Sequence, residues 1–173
     1  MTKNNIPKDA ENIKGKMVLL HDIRSIHNVA SIFRTSDGAG VEKIYLTGYS
    51  PCPVDRFGRP QKGFAKVSLG AENSVSWEYE KEPRALLTRL KKQGVSVVAV
   101  EQDERSELYS EMKDGKKVPA KIKYPAIFVF GNEVGGVDKK ILDLADKIIE
   151  IPMRGVKESL NVSVSVGIIL FSF

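Results

Sequence analysis

The chain reads as an α/β domain, a mainly parallel sheet flanked by helices, and three observations predict this. Five short apolar runs, at residues 17–20, 41–46, 95–100, 126–130 and 147–151, have the length of strands. Stretches with helical spacing lie between them, and such alternation is the mark of parallel crossover units. The run VSVVAV at 95–100 is rich in β-branched residues and apolar enough for a central strand covered on both faces.

The 173 residues suffice for one domain with a sizeable core. Hydrophobic residues make up 42% and charged residues 28%, the balance of an ordinary soluble globule. Lys and Arg number 27 against 22 Asp and Glu, and the +5 balance leans toward a polyanionic partner without requiring one. Cys52 is the only cysteine, which excludes an intrachain disulfide and a thiolate metal cluster. His21 and His27 lack the i, i+4 spacing of a zincin helix, so no metal is expected. The polar opening MTKNNIPKDAENIKGK is unlike a secretory signal. The apolar C-terminal run, broken by Ser and Gly, falls short of the ~20 residues that cross a bilayer. A cytoplasmic protein without membrane contact is the expectation.

Residues 1–16 read as a polar arm and 17–173 as the domain. After the strand at 17–20 and a loop DIRSIH, Asn28 is placed to cap a helix with Val29, Ile32 and Phe33 at i, i+3, i+4. Gly38 and Gly40 end it before the strand at 41–46, a right-handed parallel unit. Residues 48–63 hold three of the eight prolines and read as a long loop. There Arg56, Arg59 and Lys62 with Phe57 and Phe64 compose either a nucleic-acid contact or a solvated loop whose phenylalanines tuck onto the core. The sequence leaves both open.

Residues 69–76 show little pattern, and Trp77 is expected to pack. Pro83 suits a first helical turn, with Leu86, Leu87 and Leu90 as its stripe and Gly94 as its stop. The charged stretch 101–124 suggests a short helix near 104–112, then a solvated basic loop KDGKKVPAKIK. The strand at 126–130 ends in GNEVGGV, and Asp138 is placed to cap a helix reaching Ala145. The last segment fits two periods. Val162, Val164, Val166 and Ile168 alternate like a strand, while Val162, Val166, Ile169, Leu170 and Phe173 form a helical stripe that Ser159 would cap.

In α/β proteins ligands collect at the carboxyl ends of strands. Three stretches fall there: Asn28 with Arg34, the turn Gly131-Asn132-Glu133, and residues 153–161. The guanidinium fork of Arg34 suits phosphate. The GNEVGG turn matches neither GxGxxG nor the Walker pattern, and no serine sits in a GxSxG elbow. Glu133 is either a surface turn acid or a carboxylate held in a cleft.

Taken together these stretches resemble the SpoU/TrmH family of RNA ribose 2′-O-methyltransferases, in the SPOUT superfamily. The matching segments are HNVASIFRTSDGAGV (27–41), FVFGNEVGGV (128–137) and IPMRGVKESLNVSVSVGIIL (151–170), in the family's order and spacing. The resemblance runs from about residue 17 to the end. It implies a trefoil knot whose C-terminal segment is a helix threaded through a loop, S-adenosylmethionine as cofactor, a homodimer, and a tRNA or rRNA substrate. By position, Gly131, Asn132, Ile151, Met153, Ser159 and Leu160, with Val100, should line the cofactor pocket. Asn28, Arg34, Glu133, Ser159 and Asn161 match the catalytic and substrate-positioning set.

Methyl transfer to a ribose hydroxyl depends on in-line positioning, and the hydroxyl must lose its proton. Guanidinium essentially never deprotonates, so Arg34 is expected to clamp an RNA phosphate and donate to the developing oxyanion. Glu133 or Asn161 would orient the pair. A knotted RNA-binding protein without methyl transfer is the alternative. Ala30 stands where the family often has glycine, and an N-terminal RNA-binding domain found in many relatives is not expected. Target choice would then fall to Arg56, Arg59 and the basic loop near Lys116. The stop at Phe173 comes a little early for the family, with dimer packing and cofactor affinity the properties it would affect.

Overall fold

The computed structural model describes residues 14–173, so most of the expected N-terminal arm lies outside the described residues. The chain runs β1 (Lys16–His21), α1 (Ile26–Gly38), β2 (Lys43–Thr47), α2 (Lys62–Ser68), α3 (Ala71–Ser74), β3 (Ser76–Glu80), α4 (Pro83–Lys92) and β4 (Ser96–Val100). It continues through β5 (Glu107–Leu108), β6 (Ser110–Lys113), β7 (Lys116–Pro119), β8 (Ala126–Phe130), α5 (Lys139–Leu142), β9 (Lys147–Glu150) and α6 (Val162–Leu170). Seven strands form one sheet in the order β3-β2-β1-β8-β4-β9-β5. Every pairing in it is parallel, as the alternation of elements predicts.

Burial on both faces explains the unbroken apolar strands. One side of the sheet (Val18, Leu20, Ile44, Phe128, Phe130) packs with Val29, Phe33 and Phe64 of α1 and α2 and Val166 and Ile169 of α6. The other side (Met17, Leu19, Tyr45, Val97, Val129) meets Leu86, Leu87 and Leu90 of α4 and Ile141 of α5. The C-terminal segment is helical. Val162, Val166, Ile169 and Leu170 are buried, the i, i+4, i+7, i+8 stripe of a helix laid on a core. Its end is tied back to the first strand, where Lys16 Nζ donates to the Leu170 carbonyl at 3.0 Å.

Several local expectations are corrected. Ser25, not Asn28, caps α1, accepting from the Asn28 backbone N–H at 3.2 Å. Asn161, not Ser159, caps α6, because its carboxamide oxygen reaches Ser163 N at 2.8 Å. No helix forms near 104–112: β5 adds to the sheet edge, and the basic loop is the β6–β7 hairpin. Its turn, Asp114-Gly115, has φ of 53° and 73°, the twist that Asp-Gly supplies in a two-residue hairpin turn. The stretch around Trp77 contains β3, which pairs only with β2. SWEYE lacks an apolar run because an edge strand need bury only part of itself. The helix after Asp138 is a single turn, α5, and does not reach Ala145. Among the described residues no helix is long and apolar enough to cross a membrane.

Candidate active site

The chain enters β8 between β1 and β4, and β9 between β4 and β5. The loops leaving the carboxyl ends of β4, β8 and β9 therefore emerge side by side, where a doubly wound sheet gathers its ligands. They wall a cleft of about 310 Å³, closed from the far side by residues 158–165. Val100, Gly131, Asn132, Ile151, Met153, Ser159 and Leu160, from four separate stretches, all line it. Glu101, Gln102, Glu150 and Glu158 line it too, and sequence reasoning missed them. Glu101 directly follows the central strand β4, and its position at a carboxyl end was the available signal.

The floor is a tight turn at residues 131–137. Asn132 and Gly136 exchange both backbone hydrogen bonds, at 2.9 and 2.8 Å. A Cβ on Gly131 would lie 2.1 Å from the Gly136 carbonyl oxygen, so only glycine fits there. The Asn132 carboxamide oxygen accepts from Val134 N and Gly135 N at 2.8 and 2.9 Å, while its nitrogen donates to the Asp22 carbonyl at 2.9 Å and to the Tyr49 hydroxyl. From β4, Glu101 accepts from Val137 N at 2.7 Å and from Gln102 N at 2.9 Å. Gln102 in turn donates to the Glu158 carbonyl at 2.8 Å, pinning the far wall.

At the rim, three distant residues form a chain of hydrogen bonds. Glu133 accepts from the Asn28 carboxamide at 3.0 Å and from Arg24 N at 3.1 Å. Asn28 accepts in turn from the Asn161 carboxamide nitrogen at 3.2 Å. Because the Asn161 oxygen is committed to capping α6, its nitrogen must face Asn28, and both amides are thereby oriented. Desolvation pushes the Glu133 carboxyl upward, but the Arg24 N–H, its own N–H, the Asn28 amide and the Ser25 N–H outweigh it and hold the group below its ordinary value.

Arg34 stands apart. Six residues beyond Asn28 on α1, it lies about 9 Å further along the axis, exposed and outside the cleft. It has no hydrogen-bond or ion-pair partner among the described residues. Ser159 is exposed on the cleft wall and does not join the Glu133–Asn28–Asn161 chain.

A family model described as the SpoU rRNA Methylase family matches residues 15–171. The chain belongs to that family. Among relatives of the SpoU chain, the tRNA (guanosine(18)-2′-O)-methyltransferase of Aquifex aeolicus is 34% identical over 158 residues, covering 91% of this chain and 68% of that one. The crystal structure of the A. aeolicus TrmH/SpoU tRNA modifying enzyme matches with a TM-score of 0.73 at 31% identity, over 94% of this chain and 77% of that one. An AdoMet-bound rRNA methyltransferase from Sinorhizobium meliloti shares the fold at a TM-score of 0.76 and 24% identity, over 94% of this chain and 56% of that one. Several curated relatives are longer, the chain spanning 56% to 71% of their length.

Proposed function

We propose that this SpoU chain is an S-adenosylmethionine-dependent RNA methyltransferase that modifies a ribose 2′-hydroxyl of tRNA or rRNA. The observation that carries this is the convergence of Val100, Gly131, Asn132, Ile151, Met153, Ser159 and Leu160 on one cleft, beside the Glu133–Asn28–Asn161 chain. The cleft fits the cofactor in size and charge. Its volume of about 310 Å³ is within the usual range for small-molecule sites, and Glu101, Glu150 and Glu158 suit a sulfonium. When bound, the cofactor supplies the methyl group as a sulfonium substituent.

This chain's residues hold and orient. The turn at 131–137, fixed by Asn132 and Glu101, supplies a rigid floor without side-chain bulk at Gly131. The Glu133–Asn28–Asn161 chain fixes the rim against which the ribose is placed, which is where positioning contributes most to rate. The depressed Glu133 carboxyl is a weak base at neutral pH and acts through Asn28 as a positioning group. Glu101 and Glu150 already hold donors, from Val137 N and the Ser106 hydroxyl. In this reading the ribose proton passes to water or to the RNA phosphate. Arg34, exposed and unpaired among the described residues, is free to grip that phosphate with two parallel hydrogen bonds.

The proposal includes a homodimer and a threaded C-terminal helix. Val164 and Phe171, 49% and 69% exposed, leave an apolar strip on and just beyond α6 that a second copy would cover. Incubating the purified protein with methyl-tritiated cofactor and total RNA, then mapping 2′-O-methyl sites, tests the activity. Label in alkali-resistant dinucleotides of tRNA or rRNA is expected. Absence of label from a protein that binds the cofactor would overturn methyl transfer.

A further inference from the structure

We infer that the turn at residues 55–59 is a stacking platform for an unpaired RNA base flanking the target nucleotide, an inference that rests on the RNA methyltransferase reading above. The loop's two phenylalanines have opposite fates. Phe64 is 1% exposed and packs edge-on against Phe33 of α1, ring centroids 5.2 Å apart. Phe57 is 66% exposed although a core lies within reach of its own loop.

The turn holds it outside. The Asp55 carboxylate accepts from Phe57 N at 2.8 Å, from Arg59 N at 3.0 Å and from Arg59 Nε at 2.8 Å. Asp55 N and Gly58 N close the turn with backbone bonds of 2.9 Å each, and Gln61 secures its base through the Cys52 carbonyl at 2.8 Å. Two guanidinium groups lie over the ring, Arg56 at 4.7 Å and Arg59 at 5.0 Å from its centroid. Asp55 balances Arg59, whereas Arg56 has no carboxylate partner among the described residues, so the platform is net positive.

An exposed aromatic ring stacked with planar guanidinium groups suits a ligand with flat π faces and an anionic backbone. Single-stranded nucleic acid has both, and its bases stack on such surfaces without sequence demand. An acidic peptide would use the cations but has no need of the exposed ring. The location agrees. The loop leaves β2 at the sheet's carboxyl end, where the Tyr49 hydroxyl already meets the Asn132 carboxamide of the cleft floor. The Phe64–Phe33 contact seats α2 on α1 one residue from Arg34.

Phe57→Ala, Phe57→Trp and Arg56→Ala in the full chain test this. Anisotropy would follow binding of a fluorescent single-stranded 12-mer RNA and of total tRNA, with calorimetry of S-adenosylmethionine as control. Phe57→Ala is expected to weaken RNA binding and raise the RNA KM about fivefold to a hundredfold, the range for loss of one stacked base. Its kcat and cofactor affinity should stay within about twofold, and Phe57→Trp should restore binding. Arg56→Ala should lower the salt dependence of binding by about one phosphate contact. RNA affinity of Phe57→Ala equal to wild type, with or without a change in self-association by sedimentation, would overturn the platform. If wild type transfers methyl and Phe57→Ala matches its KM, the platform falls and the methyltransferase reading stands. If wild type binds RNA through Phe57 yet transfers no methyl, the platform stands and that reading falls.

Discussion

Asn161 does two jobs through two ends of one carboxamide, and substitution can separate them. Its oxygen caps α6, accepting from Ser163 N at 2.8 Å and Ser163 Oγ at 2.7 Å, while its nitrogen donates to Asn28 at 3.2 Å. Asn161→Ala loses both. Loss of the cap costs about 1 kcal/mol, which lowers Tm by roughly 2–4 °C in a chain of this size. Asn161→Asp keeps the cap, since Asp and Asn rank equally there, so its Tm should lie above that of Asn161→Ala. Its second oxygen, however, now faces the Asn28 carboxamide oxygen. Asn28 can turn over to satisfy it, but then presents oxygen to Glu133 in place of the donor seen at 3.0 Å. One bond of the chain is lost either way, about 1 kcal/mol or more where a carboxylate is the acceptor. If that order is needed at the transition state, single-turnover methyl transfer should fall about tenfold. Scanning calorimetry and rapid-quench transfer read the two effects separately. Wild-type transfer by Asn161→Asp would refute the oriented chain, and an unchanged Tm in Asn161→Ala would refute the cap.

Gly131→Ala should abolish measurable cofactor binding by calorimetry, because its Cβ would sit 2.1 Å from the Gly136 carbonyl and force open the cleft floor. The depressed Glu133 carboxyl gives an acid-side stability term. A folded-state value below the ordinary 4.5 means the contribution is complete above that pH and is lost as pH falls through the folded value. The Tm gap between wild type and Glu133→Gln should therefore narrow steadily below about pH 4.5 in an acid titration. Arg34→Lys keeps the charge but loses the fork, so kcat/KM on RNA should drop at least about tenfold if two parallel bonds grip the phosphate; turnover within a few-fold of wild type would remove the clamp.

The parts legible in the sequence were those with a local physical signature. VSVVAV and AIFVF announced central strands because burial on both faces leaves almost no polar position, Ser96 at the start of β4 being the exception. Leu86, Leu87 and Leu90 announced α4 by period. What failed were choices between chemically equal candidates. Ser25 and Asn28, three residues apart, are both good caps, as are Ser159 and Asn161, two apart, and only tertiary contacts settle which is used. The β6–β7 hairpin carried its Asp-Gly signal in plain view, but high charge masked the alternation around it. The cleft was legible only as motif, since no spacing in the chain states that residues 28, 133 and 161 meet.

Their meeting follows from the topology. In a parallel sheet each helix that follows a strand starts at that strand's carboxyl end, so the N-termini of α1 and α6 open at the same end as the cleft. Helix N-termini carry unpaired N–H groups and a partial positive charge, which Glu133 meets at α1 and the Asn161 carboxamide oxygen meets at α6. Asn28 lies in the first turn of α1, its backbone N–H already taken by Ser25, which frees its side chain to span the gap between the two helix ends. Ser25 caps α1 in its place, and both ends of the Asn28 carboxamide are left to bridge Glu133 and Asn161.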